Sequence, residues 1–367
     1  MKKIKLMHLI TGLEVGGAET VLSRVLPRMH SDFENVVVGI LPGKTEEKLK
    51  RAKIHTYVLL PRKKSIWQAI WRFKKIVEKE KPDILITYLI HADLFGRIFG
   101  KLFGIKKIVC SKRGMIFKHK FLAFLDRLTS FLVQKYLCVS RPIAEELINK
   151  LFVSPKKVEV VPNGVILKDF QFQIDVEKKR GDLGLKKEEF VMVYVANLNE
   201  RKNHKVLISA FKKLINKYPS LVLLLVGKDQ GTKVQIEKQI KSLKIPKGKI
   251  RILGYREDVI EILKISDLFV FPSLSEGMPN AVLEAMAAGL PIVASDILPN
   301  RELIKNKKNG LLFPPKSVSK LVQCVEQLIK NPDLRKKYAQ NALNIVKENF
   351  TIEKTVKKFE KIYRELA

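Results

Sequence analysis

Hydrophobic positions in the first 165 residues come in short, nearly unbroken runs: IKLMHLI (4–10), NVVVGIL (35–41), DILITYL (83–89), KIVCS (107–111), YLCVS (136–140) and VEVVPNG (158–164). Such runs, rich in Val, Ile and Leu and separated by segments of helical period, predict parallel strands covered on both faces by helices. A charged interval at about 166–189, with DVEKKRGDLGLKKEE, breaks the rhythm. It restarts with FVMVYVA (190–196), LVLLLVG (221–227), IRILGY (250–255), LFVFPS (268–273) and PIVASD (291–296). The pattern predicts an α/β chain of two Rossmann-like domains, residues 1–168 and 186–348, facing each other across a cleft with ligands at the carboxyl ends of the strands. From Val318 onward the chain reads as amphipathic helix, interrupted at Asn349, Phe350 and Thr351. The last segment, 349–367, is a helix free to pack back on the first domain.

A length of 367 residues with 46% hydrophobic content agrees with two cores of ordinary size. The 70 Lys and Arg against 37 Asp and Glu, a net charge of +33, point to an anionic partner, with compositional bias as the alternative reading. Cys110, Cys138 and Cys324 are odd in number and widely spaced, which argues against a disulfide framework or a zinc site. The N-terminal run is short and contains His8, unlike a secretory signal, and no stretch reaches the roughly 18 uncharged apolar residues of a membrane span. The expected location is cytoplasmic, with peripheral contact to the inner membrane face.

Three stretches carry candidate chemistry. In TGLEVGGAETVLSRV, Gly16 and Gly17 lead from a strand into a helix, where close backbone approach and free amides suit a phosphate. An ordinary tight turn is the plainer alternative, and Glu19 most simply answers the helix's own amides. In VANLNERKNH, Arg201 and Lys202 follow a strand end and could neutralise a diphosphate leaving group. In SEGMPNAVLEAMAAGLP (275–291), Pro279 suits a first helical turn, which puts Glu276 on the preceding loop and Glu284 inside the helix. At a rise of roughly 1.5 Å per residue, Glu284 lies about 7 Å along the axis from Pro279. Two carboxylates so separated can each hold sugar hydroxyls, while the amides of Met278, Asn280 and Ala281 face phosphate. A capping glutamate plus an exposed helical one is the bland alternative.

Together these residues resemble the family-4 (group 1) retaining glycosyltransferases of the GT-B fold. The resemblance rests on GGAE (16–19), VPNGV (161–165), the Lys of NERKNH, LGYREDV (253–259), SDLFVFPSLSEGMPNAVLEAMAAGLPIVASD (266–296) and NGLLF (309–313), and runs along nearly the whole chain. It implies donor contacts at Gly16, Gly17, Asn197, Gly254, Tyr255, Arg256, Gly277, Met278, Pro279, Asn280, Ala281 and Glu284. It implies that Lys202 compensates the phosphates, that Glu276 addresses the donor sugar and that Glu284 addresses the ribose. Two departures stand out. Ala196, Asn197 and Leu198 replace the family's Gly-Arg-Leu, leaving Arg201 as the substitute cation. Ser111, Lys112, Arg113 and Gly114 stand where many members carry a histidine, leaving His91 as a catalytic candidate and Arg113 with Asn163 on the acceptor side. No metal and no cofactor are expected.

Residues 1–165 hold 32 Lys and Arg against 14 Asp and Glu, a net of +18. Within them, 62–81 places Ile66, Ala69, Ile70, Phe73 and Val77 on one helical stripe flanked by Trp67 and Trp71, and 114–133 does the same with Phe121, Phe124, Leu125, Leu128 and Phe131. Each stripe is either a core face or a membrane-interface face. The function expected is transfer of a sugar from a nucleotide-diphosphate donor, UDP by preference, to a lipid-linked glycan in bacterial surface polysaccharide synthesis at an anionic membrane. A sugar-nucleotide epimerase of similar fold and a non-catalytic polyanion-binding protein are the alternatives, and no nucleic-acid motif is present.

Overall fold

A computed structural model describes residues 3–14, 16–61, 65–114 and 120–367. Its strands are β1 (Ile4–Gly12), β2 (Phe33–Leu41), β3 (His55–Val58), β4 (Ile84–Tyr88), β5 (Lys107–Lys112), β6 (Lys135–Cys138), β7 (Val158–Val160), β8 (Phe190–Val195), β9 (Leu221–Val226), β10 (Ile250–Gly254), β11 (Leu268–Phe271), β12 (Ile292–Ser295) and β13 (Leu311–Phe313). Helices α1 (Gly17–Val25), α2 (Thr45–Arg51), α3 (Ile66–Glu80), α4 (Ile90–Leu102), α5 (Lys120–Leu128) and α6 (Arg141–Leu151) connect the first seven strands. Then come α7 (Val176–Asp182), α8 (His204–Ile215), α9 (Lys233–Ser242), α10 (Val259–Lys264), α11 (Asn280–Ala287), α12 (Leu298–Leu303), α13 (Val318–Lys330), α14 (Pro332–Asn349) and α15 (Ile352–Leu366).

The chain divides into two compact units, 1–164 with 352–367, and 165–351. The charged interval read as a boundary thus belongs to the second unit, where Asp175 caps α7 by accepting from the Lys178 amide. The first unit holds a parallel sheet of order β3-β2-β1-β4-β5-β6-β7, the second one of order β10-β9-β8-β11-β12-β13. In each, the first strand of the unit lies inside the sheet and the order reverses beside it. The two edges of that reversal are β1 with β4 (Leu6 opposite Ile84) and β8 with β11 (Leu268 opposite Met192). Adjacent helices diverge at such a point, opening a crevice at the strand carboxyl ends. Both sheets have the double cover their unbroken apolar runs predict: β4 and β9 are buried along their whole lengths.

Helix α15 belongs to the first unit, as its amphipathic pattern allows. It buries Ile352, Val356, Phe359, Ile362 and Tyr363, packs against α1 and sets Tyr363 edge-on to Phe33. On the other side of the sheet α3, α4, α5 and α6 form a continuous layer. Beneath α5 lies a buried ionic network. Arg97 meets Asp126 at 2.6 Å, Lys112 meets Asp93 at 2.6 Å and Asp126 at 3.0 Å, and Thr87 donates to Asp93 at 2.5 Å. Burial works against the Asp126 charge, but Lys112 and Arg97 overcome it and hold the carboxyl below the usual aspartate range. Removing one partner from such a network strands buried charge. Asp126→Ala should therefore cost about 3–5 kcal/mol of stability, read by urea unfolding; a loss under about 1 kcal/mol would mean the network is not closed to water.

Among the described residues no helix is long and apolar enough to cross a membrane, and no group of three or more His, Cys, Asp or Glu could hold a metal ion.

Candidate active site

The crevice of the second unit is bounded by the segments following β8 and β11, which carry Lys202 and Glu276 respectively. Their side chains meet at 2.5 Å with little solvent exposure. Ser273 donates to the same Glu276 oxygen at 2.5 Å, and Lys202 also lies over the Phe271 ring at 5.4 Å. The turn holding Lys202 is a single 3-10 turn, Glu200–Lys202, pinned on several sides. The Tyr194 hydroxyl donates to the Lys202 carbonyl at 2.7 Å, and the Leu274 amide donates to the Arg201 carbonyl at 2.9 Å. Asn203 takes a left-handed conformation (φ 56°) and its side-chain amide donates to the carbonyls of Pro272 and Pro315. Arg201 itself points outward and is exposed.

Beyond Glu276 the chain turns through buried Gly277, Met278 and Pro279. Pro279 is the N-cap of α11 (φ −78°, ψ 107°), so the helix starts at Asn280, one residue later than the sequence suggested. The first-turn amides of α11, Ala281 among them, have no carbonyl one turn back within the helix. Glu284 lies four residues on from Asn280, on the same half-buried face. Small residues let the helix pack on both sides: Ala285 and Ala287 are buried on opposite faces of α11, which contacts both β12 and α14.

The neighbouring segments brace this site. Asn197 accepts from the Lys228 amide at 3.2 Å. Gly227 (φ 155°) lies so close to Ala196 that a Cβ there would sit 2.0 Å from the Ala196 carbonyl oxygen. Gly254 ends β10 with φ 67°, followed by exposed Tyr255. Arg256 forks onto Asp258 (2.8 and 2.5 Å) and holds that carboxyl down at about 2. The Arg256 guanidinium is thus engaged with the α10 N-cap. His204, its ring tilted against that of Tyr194 with centroids 4.9 Å apart, has no hydrogen-bond partner on either ring nitrogen. Burial, with help from Lys202, lowers it to about 4.

In the first unit Gly16 is the N-cap of α1 and Gly17 its first residue. The Glu19 carboxylate folds back over this helix mouth: a Cβ on Gly16 would lie 2.5 Å from it, while one on Gly17 would meet nothing. Burial pushes the Glu19 carboxyl up, and its own amide and Arg113 pull against that. Arg113 and Asn163 are brought together, the guanidinium donating at 2.6 Å to the Asn163 side chain. Arg113 also lies over Tyr88 and Phe359, about 6 Å from each ring. His91 is exposed on the first turn of α4, and no hydrogen bond joins it to Arg113 among the described residues. The turn before it is strained, with Leu89 at φ 72° and ψ 152°. His8 is buried between Tyr88 and Asn35 and lowered to about 4 by burial.

Against this geometry, the sequence matches two profiles, Glycosyltransferase Family 4 over residues 15–169 and Glycosyl transferases group 1 over residues 175–344. It is 32% identical over 303 residues to the UDP-Gal:alpha-D-GlcNAc-diphosphoundecaprenol alpha-1,3-galactosyltransferase of Escherichia coli, spanning 80% of this chain and 78% of that one. The chain belongs to the group 1 glycosyltransferases of the GT-B fold. It is also 26% identical over 354 residues to a Campylobacter jejuni N-acetylgalactosamine-N,N'-diacetylbacillosaminyl-diphospho-undecaprenol 4-alpha-N-acetylgalactosaminyltransferase, covering 92% of this chain and 93% of that one. The crystal structure of Anabaena HepE in complex with UDP and glucose superposes with a TM-score of 0.90 at 19% identity, over 99% of this chain and all of that one, a likeness of fold.

Within this glycosyltransferase, residues that sequence reasoning passed over hold the predicted ones in place: Tyr194, Asn203, Gly227 and Ser273. Only Asn203 left a local signal, an Asn between Lys202 and a helix start, where left-handed backbone is tolerated.

The two buried histidines set a pH dependence. Their folded pKa values, about 4, lie below the unfolded value of 6.5, so the unfolded chain binds more protons between those limits. Stability should be full above pH ~6.5 and fall toward pH ~4, by about 1.4 kcal/mol per pH unit for each histidine. His204→Phe should remove about half of that slope in urea titrations; an unchanged slope would mean that His204 is already protonated in the folded state.

Proposed function

We propose that this glycosyltransferase moves a sugar, with retention of configuration, from a UDP-sugar to a lipid-linked saccharide during bacterial surface polysaccharide synthesis. The observation that carries the reading is the Lys202–Glu276 pair at 2.5 Å beside the mouth of α11. A nucleotide sugar supplies what each partner is now giving the other: phosphate charge for the ammonium, sugar hydroxyls for the carboxylate. On this reading the donor diphosphate lies against the first-turn amides of α11 and Lys202, Glu276 accepts from the sugar hydroxyls, and Glu284 accepts from the ribose. The bond between the anomeric carbon and the diphosphate oxygen breaks as the acceptor oxygen bonds from the same face. The acceptor proton passes to the leaving phosphate oxygen, and Lys202 stabilises the charge that develops there.

The relatives' names support the donor and acceptor classes: one names UDP-Gal and both name a diphosphoundecaprenol-type acceptor. The strong positive charge of the first unit supports an anionic membrane as the place of reaction. The epimerase alternative asks for histidines poised to exchange protons, and His8 and His204 are instead buried with pKa values near 4.

Thermal-shift and slow-hydrolysis assays over a panel of nucleotide sugars test the donor class. UDP-sugars should stabilise the protein, and Glu284→Ala should weaken UDP about 10- to 100-fold with an unchanged fold. Unchanged UDP affinity in that variant would remove the ribose role, and stabilisation by DNA but by no nucleotide sugar would overturn the reading.

A further inference from the structure

Helix α5 is built inside out. A helix on a soluble sheet normally turns its apolar stripe inward and its charges outward. Here the inward residues include Asp126, fully buried on Arg97 and Lys112, whereas Phe121, Phe124 and Leu128 point to solvent, Phe121 with 69% of its surface exposed. Of the two readings of this stripe, the core face is excluded for those three residues. Exposed apolar residues continue across the layer. Ile98 and Leu102 are exposed one turn apart on α4, and Trp67 and Trp71 one turn apart on α3, while Ala69, Phe73 and Val77 form the true core edge of that helix. Residues 62–64 and 115–119 of the two amphipathic segments lie outside the described residues.

Charge decides what covers this face. Of the six carboxylates on α3, α4, α5 and α6, four (Glu80, Asp93, Asp126 and Glu146) are buried, which leaves only Glu78 and Glu145 at the surface. Basic side chains remain outside and two sit over exposed rings: the Lys75 ammonium is 3.6 Å from the Trp71 ring centre and the Arg127 guanidinium 4.5 Å from that of Phe152. Aromatic and aliphatic groups ringed by cations, with carboxylates withdrawn, match a bilayer interface bearing anionic headgroups. A second copy would bring two basic faces together.

We propose that the outer face of the α3–α4–α5 layer seats the protein on an anionic lipid bilayer, with Phe121, Phe124 and Leu128 entering the interface. The buried Arg97–Asp126–Lys112 network holds α5 in this orientation by tying its polar side to the sheet. The proposal gives the lipid-linked acceptor reading its membrane partner and rests on that reading for its purpose, but binding itself is a property of this face.

Vesicle sedimentation with the full chain, without donor, tests it. The protein should bind vesicles containing phosphatidylglycerol and bind phosphatidylcholine vesicles much more weakly. Phe121→Ser/Phe124→Ser should reduce binding to the anionic vesicles by about tenfold or more with unchanged circular dichroism. Absence of vesicle binding, or equal binding by the double variant, would overturn the proposal. So would a dimer in sedimentation velocity that the variant disperses, which would assign the face to a second copy. UDP affinity measured on the same samples separates the two readings: its absence with vesicle binding intact would sink the donor reading alone.

Discussion

A lysine ammonium and a carboxylate 2.5 Å apart and nearly out of water persist only where surrounding groups satisfy the rest of their hydrogen-bonding capacity, and the carboxyl edge of the second sheet is arranged around that need. The parallel order β9-β8-β11-β12 reverses between β8 and β11, so the segments carrying Lys202 and Glu276 are neighbours although 74 residues separate them in the chain. Tyr194 and Asn203 fix the lysine's turn, and Ser273 shares the glutamate. Ser295, at the end of β12, in turn donates to the Ser273 carbonyl at 2.5 Å. Side-chain hydrogen bonds onto backbone carbonyls thus tie the ends of β8, β11, β12 and β13 together around the pair.

The first unit meets the opposite problem. Its sheet face under α5 carries Lys112 at a position where an apolar residue would be ordinary, and the buried cation draws Asp93 and Asp126 inward from α4 and α5. Turning the acidic residue of α5 toward the sheet forces its aromatic residues outward, because positions 121, 124 and 128 share the face opposite Ala123 and Asp126. One buried charge thus reverses the polarity of a whole helix. The same unit keeps His8 neutral in its interior and folds Glu19 over the α1 mouth.

The sequence was most legible where a single period governs a long run. The continuous apolar strands announced two parallel sheets, and the amphipathic tail after Val318 announced α13, α14 and α15 with the break where Phe350 and Thr351 lie. The strands β3 (His55–Val58) and β13 (Leu311–Phe313) are four and three residues long and carry no period to read. The string 275–291 brought attention to Glu276 and Glu284, but its meeting with Lys202 depends on sheet order, which local pattern does not encode. The stripe 121–131 was legible as amphipathic yet not as outward-facing, since the residue that turns it, Lys112, lies on a strand and acts through space. His91 shows the converse: a strand-end histidine conspicuous in sequence is exposed, while the contacts around Arg113 come from Asn163, Tyr88 and the distant Phe359.

The claim that the Lys202–Glu276 pair is the resting form of the donor site is tested most directly by calorimetric binding of UDP and of a UDP-sugar to Lys202→Met, Glu276→Gln and the double variant. Lys202→Met should weaken both ligands, Glu276→Gln should weaken the UDP-sugar but leave UDP equal or tighter, and the two changes should be non-additive by about 1 kcal/mol or more for the UDP-sugar. Equal binding of both ligands to all the variants, or strict additivity, would contradict the account.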